Sequence, residues 1–275
     1  MTYVEIRPKG TRLGNWMFQY AAAKSAYPGD EIAFVIEDRN DWPKVEKFKI
    51  LFPDAVITDH APEEATIRTD LYQDVKFLSP DVVRGLFACP VEIRERLDSK
   101  YGDLLEDRGL VSIHIRRGDY LKLPHRHPFV GEEYLQKAVG RFRAVKNVKF
   151  MVCSDDIAWS KKFFSSRNFP DVQFNFSEGA EVLEDLFLMR SCCGGHICSN
   201  STFSWWGAYG SALPQPLTIF PSMWYGPAVH EDWRGLYFKG AEVIENKYTA
   251  SMRVSVAAHL LKDWGGSMLR KAGLR

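Results

Sequence analysis

After residue 110, the pattern of hydrophobic and polar residues alternates between one typical of β-strands and one typical of α-helices. Short apolar runs, typical of buried strands, occur at 111–115, 148–154, 172–176, 195–200 and 216–221. The segments between these runs, at 132–146, 157–166, 181–193 and 201–213, place apolar residues three or four positions apart, as helices do. Repeated strand–helix–strand units predict a parallel sheet with helices on both faces.

The first hundred residues show a weaker pattern. A strand is predicted at 2–7, a turn and helix at 10–26 and a strand at 31–36, before a segment rich in proline and charge. The polar stretch "DSKYGDLLEDRG" (98–109) is typical of a domain boundary. We therefore predict an N-terminal α/β domain over 1–107, a C-terminal α/β domain over 108–245 and a C-terminal helical segment over 246–275.

The C-terminal segment carries an apolar stripe at helical spacing. Its apolar residues recur every four positions at Met252, Val256, Leu260, Trp264 and Met268. It contains a single acidic residue, Asp263, and five basic residues, which are Arg253, Lys262, Arg270, Lys271 and Arg275. Two interpretations remain open. The helix closes the fold by packing across both domains, or it contacts anionic lipid peripherally, with Gly265 and Gly266 ending its packed part.

Composition narrows the class of protein. The chain has 275 residues and a formal net charge of +1, so nothing predicts bulk attraction to nucleic acid. Its five cysteines include the adjacent pair Cys192 and Cys193 and no C-x-x-C pair, which favours reduced thiols over a disulfide framework or a zinc site. The first residues lack an apolar signal core, and no run of about 18 apolar residues occurs. We therefore expect a cytoplasmic protein, peripheral at the inner membrane if the tail binds lipid.

Polar clusters follow three of the predicted strands. Residues 114–119 ("HIRRGD"), 154–156 ("SDD") and 200–202 ("NST") each stand where a strand ends. The carboxyl ends of parallel strands share one edge of the sheet, and ligands bind at that edge in such folds. Arg116 and Arg117 suit a phosphate or pyrophosphate, because each guanidinium offers a planar fork of donors. The sequence therefore predicts an anion site at this edge.

Four motifs occur in order between residues 12 and 209. They are "RLGNWMFQYAAA" (12–23), "VSIHIRRGDYL" (111–121), "CSDDIAW" (153–159) and "DLFLMRSCCGGHICSNSTFSWWGAY" (185–209). Together they resemble the RLGNQMFQYA, H-x-R-R-G-D-Y, Ser-Asp-Asp and Asn-Ser-Ser-Phe-Ser-Trp-Trp motifs of the inverting α-1,2-fucosyltransferases of glycosyltransferase family 11. The resemblance implies an α/β fold of the GT-B type, with two Rossmann-like domains facing across a cleft. The C-terminal domain would hold GDP-fucose and the N-terminal domain would lie on the acceptor side.

The same resemblance implies a galactoside 2-α-L-fucosyltransferase. GDP-β-L-fucose would be a substrate, with no cofactor and no metal ion. Transfer with inversion would place fucose on the 2-hydroxyl of a terminal galactose of a glycan. Two alternatives remain open: a fucosyltransferase that makes another linkage, and a non-catalytic protein that binds a sugar nucleotide or a glycan.

The resemblance also implies roles for residues at the predicted edge. Arg116, as ligand of the β-phosphate, is expected in catalysis together with Asn15 and Asp119. Contacts with the donor are expected from His114, Arg116, Arg117, Asp185, Asn200, Ser201 and Thr202, with Asp185 on the guanine. Side-chain alternation lets only one of the adjacent arginines face the site. Arg117 is therefore expected to order the loop by pairing with Asp119 or another carboxylate.

Several residues compete for the acceptor and base roles. Candidates for acceptor contacts are Trp16, which stands where the family has Gln, His125 and His127. The base is left open between His125, His127, Asp119, Glu132 and a β-phosphate oxygen. Asp155 and Asp156 could hold a divalent metal, but adjacent residues at a strand end point apart. No metal site is therefore predicted, and one of the two is expected to cap the next helix.

Overall fold

The N-terminal domain is built on a parallel sheet. The computed structural model describes residues 3–6, 12–36, 42–60, 65–68, 73–145, 147–165, 167–211 and 214–271. The four strands are β1 (Tyr3–Ile6), β2 (Glu31–Val35), β3 (Val56–Thr58) and β4 (Ala65–Arg68), in the order β3-β2-β1-β4. Helices α1 (Leu13–Ala26) and α2 (Trp42–Leu51) connect them. Residues 16–23 of α1 are all buried, which explains why this helix has no polar face in the sequence.

The C-terminal domain contains a second parallel sheet of six strands. These are β5 (Val111–Ile115), β6 (Lys149–Ser154), β7 (Gln173–Phe176), β8 (Gly195–Ile197), β9 (Thr218–Pro221) and β10 (Glu242–Ile244). Their order, β10-β9-β8-β5-β6-β7, is that of a doubly wound Rossmann sheet. The direction of winding reverses between β5 and β8. A crevice for ligands is expected at the carboxyl ends of these two strands.

The helices of the C-terminal domain follow the predicted alternation. They are α5 (Glu132–Phe142), α6 (Ile157–Phe163), α7 (Val182–Ser191) and α8 (Thr202–Ala208). The apolar stripe of α5 is buried as its spacing predicts, including Leu135, Val139 and Phe142. A capping box between Glu181 and Glu184 begins α7.

Two further helices lie between the sheets in the sequence, α3 (Pro80–Leu86) and α4 (Val91–Leu105), after a short 3₁₀ turn at Val75–Phe77. Helix α4 packs against α7 of the C-terminal domain, where Arg96 forms an ion pair with Glu184. Lys100 donates a hydrogen bond to the carbonyl of Glu178 on the same side. Residues 91–105 thus lie beside the second sheet, although the predicted boundary assigns them to the first domain.

The two domains share one hydrophobic core between α1 and α8. The ring of Phe18 lies 4.4 Å from that of Trp205 and 4.7 Å from that of Trp206, measured between centroids. The indole nitrogen of Trp206 donates a 2.9 Å hydrogen bond to the carbonyl of Gly14. The aromatic pair near residue 205 therefore joins the domains, and its role is structural.

The chain's last helix, α9 (Ala250–Lys271), begins as the apolar stripe predicts. Met252 is buried and His259 stacks on His125, with ring centroids 4.3 Å apart. The helix continues through Gly265 and Gly266, and the expectation that these glycines end its packed part stays a prediction. In the described part of the chain no helix is long and apolar enough to cross a membrane. The tip at 272–275 lies outside the described residues, and its contact with lipid stays a prediction.

Candidate active site

His114 lies at the point where the winding of the second sheet reverses. It stands near the carboxyl end of β5, and its Nδ1 lies 2.9 Å from the hydroxyl of Ser199, which follows β8. Burial, reinforced by the charge of Arg116, lowers the pKa of His114 to about 3. The imidazole is therefore neutral at neutral pH. This hydrogen bond joins the ends of the two strands that flank the expected crevice.

Arg116 leaves β5 with its guanidinium partly open to solvent. Its two terminal nitrogens lie 2.8 Å from the carboxylate of Asp119 and 2.9 Å from that of Asp155. Asp119 also forms an ion pair with Arg12, the residue before α1 in the N-terminal domain. Arg116, the predicted phosphate ligand, thus lies in a chain of alternating charges that crosses between the domains.

Arg117 points to the other side of the strand end, as side-chain alternation predicts. Its guanidinium stacks 3.9 Å above the ring of Trp159 and forms a 3.1 Å ion pair with Asp156. Its side chain is only 13% exposed. The carboxylate that holds it is therefore Asp156 and not Asp119. This placement corrects the expectation that Arg117 contacts the donor, because Asp156 and the ring of Trp159 hold its guanidinium behind the site.

Asp155 and Asp156 also point apart. Asp156 caps α6 by accepting a hydrogen bond from the backbone nitrogen of Trp159, which confirms the predicted capping role for one of the pair. Asp155 accepts a 2.8 Å hydrogen bond from the backbone nitrogen of Arg117. Among the described residues, no group of three or more His, Cys, Asp and Glu side chains is arranged to hold a metal ion.

Asp185 lies on α7 beside the ends of β6 and β7. Its carboxylate accepts a 2.5 Å hydrogen bond from Ser177 and a further one from the thiol of Cys153. Burial raises its pKa to about 6, while these two hydrogen bonds oppose the shift. Asp185 therefore contacts Cys153 in β6. Asp155, which forms the ion pair with Arg116, stands two positions after Cys153.

Asn15 and Thr202 meet at the interface of the two domains. The Thr202 hydroxyl donates a 2.8 Å hydrogen bond to the amide oxygen of Asn15. A hydroxyl has one hydrogen, so Thr202 does not also donate to a phosphate in this arrangement. Ser201 occupies the cap position of α8, yet its side chain makes no capping hydrogen bond. Of the two hydroxyls predicted to bind phosphate, that of Ser201 is the better placed.

The structure also corrects three other predicted contacts. Asn200 is 1% exposed and its amide nitrogen donates to the carbonyl of Trp224, so it supports the site without facing it. Trp16 is fully buried against Phe34 and Phe48 in the first domain. His125 is buried beneath α9. Neither Trp16 nor His125 presents a face to an acceptor, because both side chains fill the protein interior.

His127, a predicted acceptor-side residue, lies near Asp119 and among aromatic rings that the sequence did not indicate. Its ring stacks on that of Tyr120 at 5.0 Å and lies 6.0 Å from that of Tyr225. Tyr120 in turn lies 5.9 Å from the guanidinium of Arg116. Burial lowers the pKa of His127. The signal for Tyr120 was its place in the "RRGDY" motif, whereas Tyr225 stands in a loop more than a hundred residues later.

Comparison with known families identifies the chain. The model of the family described as glycosyl transferase family 11 matches residues 79–230, just over half of the sequence and most of the residues placed above. The chain belongs to glycosyl transferase family 11. This membership agrees with the family that its four motifs resemble.

Curated relatives agree with this family. The O-antigen biosynthesis glycosyltransferase WbnK of Escherichia coli is 35% identical over 127 residues, covering 44% of this chain and 41% of its own length. The α-1,2-colitosyltransferase of Escherichia coli is 35% identical over 148 residues, or 52% of this chain and 50% of that protein. The human galactoside α-(1,2)-fucosyltransferase 1 is 32% identical over 139 residues, with coverages of 46% and 37%. The chain thus spans half or less of the length of these relatives.

A solved structure supports the fold. The chain superposes on the crystal structure of POFUT1 in its apo form with a TM-score of 0.50 at 12% sequence identity, covering 79% of this chain and 97% of that one. Together with the two parallel sheets, this confirms the predicted fold class, GT-B with two Rossmann-like domains.

Proposed function

We propose that the chain transfers L-fucose from GDP-β-L-fucose to the 2-hydroxyl of a terminal galactose of a glycan, with inversion and without a metal ion. The relatives named as α-(1,2)-fucosyltransferases supply the sugar and the linkage of this proposal. The observation that carries it is Arg116, a partly exposed guanidinium at the strand end where a doubly wound sheet binds nucleotides.

The reaction exchanges one bond to fucose for another. The bond between C1 of fucose and the β-phosphate oxygen breaks, and the galactose O2 bonds to C1 from the opposite face. Positive charge grows on the sugar ring and negative charge on departing GDP. Arg116 is positioned to stabilise that negative charge. Ser201, whose side chain makes no capping hydrogen bond at the start of α8, is the hydroxyl that we assign to the phosphates.

The proton of the acceptor hydroxyl must pass to a base. Asp119 and His127 are the candidates that lie with Arg116, and the lowered pKa of His127 keeps its ring neutral and able to accept a proton. His125 is a poor candidate because it is buried under α9. Glu132 begins α5 in an exposed position. A β-phosphate oxygen of the donor is the remaining alternative.

The acceptor is proposed to lie on an aromatic wall beside Arg116. Tyr120, His127, Tyr225 and Trp233 are all half-buried and form a continuous row, with Tyr225 and Trp233 6.1 Å apart. Sugar rings present flat faces of C–H groups that suit such side chains. Burial and the nearby Glu231 raise the pKa of Tyr225, so its hydroxyl stays protonated as a hydrogen-bond donor.

In a second candidate function, the chain transfers a different sugar by the same reaction. The Escherichia coli relative named an α-1,2-colitosyltransferase matches a longer stretch than WbnK does, which makes nucleotide-activated colitose an alternative donor. Colitose and fucose differ at one ring hydroxyl, and a contact with that hydroxyl would decide between them.

The proposal is tested by incubating the chain with GDP-fucose and a panel of galactose-terminated oligosaccharides. We expect release of GDP and, by nuclear magnetic resonance, a product with α-fucose on galactose O2. Activity should persist within about two-fold in EDTA if no metal takes part. A product linked elsewhere supports another linkage, tight binding without turnover supports a binding protein, and turnover of activated colitose alone supports the second candidate.

A further inference from the structure

Asp119 lies between two arginines that belong to different domains. Arg116 extends from β5 in the C-terminal domain, and Arg12 precedes α1 in the N-terminal domain. Both form ion pairs with the same carboxylate. Two guanidinium groups that converge on one carboxylate present more hydrogen-bond donors than its two oxygens can use.

The contacts of Arg116 leave hydrogen-bonding capacity unused. Its nitrogens lie within 2.9 Å of Asp119 and Asp155, yet the Oδ1 atom of Asp119 is buried and accepts no hydrogen bond. Close approach without alignment provides charge neutralisation but not the directed bonds that a guanidinium fork makes with a well-placed anion.

We propose that the diphosphate of the donor takes the place of Asp119 on Arg116 and Arg12. This inference rests on the proposed function. A diphosphate carries more oxygens than a carboxylate and can occupy both forks at once, whereas the negative charge of Asp119 opposes it at the same position. Arg12 thereby becomes a donor ligand contributed by the N-terminal domain, a role that the sequence did not assign.

Displacement of Asp119 by the diphosphate determines the order in which donor and acceptor bind. Asp119 leaves its ion pairs when the donor arrives, which frees its carboxylate oxygens to accept a hydrogen bond from another group. It then lies beside His127 and the aromatic wall, where the acceptor is proposed to bind. The donor therefore binds first, and the acceptor hydroxyl can deliver its proton to the released carboxylate.

Binding of GDP and of inorganic pyrophosphate, measured by isothermal titration calorimetry, tests the exchange. Asp119→Asn removes the competing charge but keeps the shape, so we expect GDP and pyrophosphate to bind about five- to ten-fold more tightly, while fucosyl transfer falls. Arg12→Ala should weaken both ligands by about ten-fold. Asp119→Ser provides a second variant of the same kind if the asparagine variant unfolds.

A matched control comes from an exposed ion pair far from the site. Arg141→Ala breaks the pair with Glu242, which begins β10 at the edge of the sheet opposite the candidate site. This variant should leave the affinity for GDP unchanged. If the Asp119 variants bind GDP and pyrophosphate as weakly as wild type or more weakly, Asp119 does not compete and the inference is wrong.

The two ligands separate this inference from the proposed function. If wild-type protein binds pyrophosphate without preferring GDP, and Asp119→Asn still raises the affinity for pyrophosphate, the nucleotide assignment is wrong and the exchange is supported. If wild-type protein turns over GDP-fucose, but the Asp119 variants bind GDP and pyrophosphate no more tightly than wild type, the proposed function is supported and the exchange is wrong.

Discussion

The hydroxyl of Thr202 at the start of α8 donates a 2.8 Å hydrogen bond to the amide oxygen of Asn15 in α1, across 187 positions of sequence. This bond joins two residues that the motifs had marked separately. The backbone of the same two helices is in close contact beside it, at Gly14. The interface between the domains and the candidate active site are therefore built from the same residues.

Gly14→Ala should destabilise the protein. A Cβ at this position would lie 2.8 Å from the backbone nitrogen of Phe203, and backbone cannot move aside as a side chain can. We expect the free energy of unfolding in urea to fall by about 1–3 kcal/mol. Gly102→Ala in α4 is the matched control, because its Cβ would meet nothing within 4 Å, and it should stabilise by about 0.5–1 kcal/mol. Equal effects of the two substitutions would show that the contact at Gly14 is unimportant.

Arg116→Ala should lower kcat at least about 100-fold, the scale of losing one preorganised group that stabilises developing charge. Arg116→Lys should restore little, because an ammonium lacks the planar fork. The measurement is GDP release at saturating GDP-fucose. Arg141→Ala, which removes an exposed arginine elsewhere, should retain wild-type turnover. Wild-type kcat in the Arg116 variant would remove this residue from the mechanism.

Asp185→Asn should erode the preference for guanine. Wild-type protein is expected to bind GDP more tightly than ADP or UDP, and losing a hydrogen bond to a charged group costs about 1.5–3 kcal/mol. Because burial raises the pKa of Asp185 to about 6, the carboxylate is neutralised as pH falls through that value, and GDP affinity should fall with it. Affinity for GDP in the variant should lack this pH dependence. Equal affinity of wild type for GDP and ADP would contradict the assignment.

Tyr225→Ala should weaken binding of the acceptor without changing binding of the donor. Loss of one ring of the aromatic wall is expected to raise the KM for a galactose-terminated acceptor about ten-fold, or about 1.4 kcal/mol. The affinity for GDP should stay at the wild-type value. Tyr27→Ala, at a half-buried tyrosine after α1, serves as the control. A change in donor affinity without a change in acceptor KM would place Tyr225 outside the acceptor site.

His196 should make the protein less stable in mild acid. Burial lowers its pKa to about 3, so below about pH 6.5 the unfolded chain binds a proton that the folded protein does not. The free energy of unfolding should therefore fall as pH drops from 6.5 towards 3, by about 1.4 kcal/mol per pH unit for this residue. Urea unfolding of wild type and His196→Gln between pH 5 and 7 isolates the effect, because their other titrating groups are shared. Identical slopes would contradict it.

Much of the architecture after residue 110 follows from local pattern. The runs of apolar residues predict β5 at 111–115, as observed, and strands β6 to β9 to within a few residues. The region after residue 36 was predicted less well. Helices α2, α3 and α4 and strands β3, β4 and β10 were missed, because they are short, charged on their exposed faces or interrupted by proline.

The sequence alone determined that two arginines, a histidine and several acids gather at strand ends, since the strands are parallel and their carboxyl ends share an edge. It also determined that Arg116 and Arg117 face opposite ways, because neighbouring side chains alternate. Only the tertiary structure decided which carboxylate each arginine meets, that Trp16 and Asn200 are buried, and that Arg12 joins Asp119. Those outcomes depend on contacts between residues far apart in sequence, such as Arg12 and Asp119 at a separation of 107 positions, which no local period encodes.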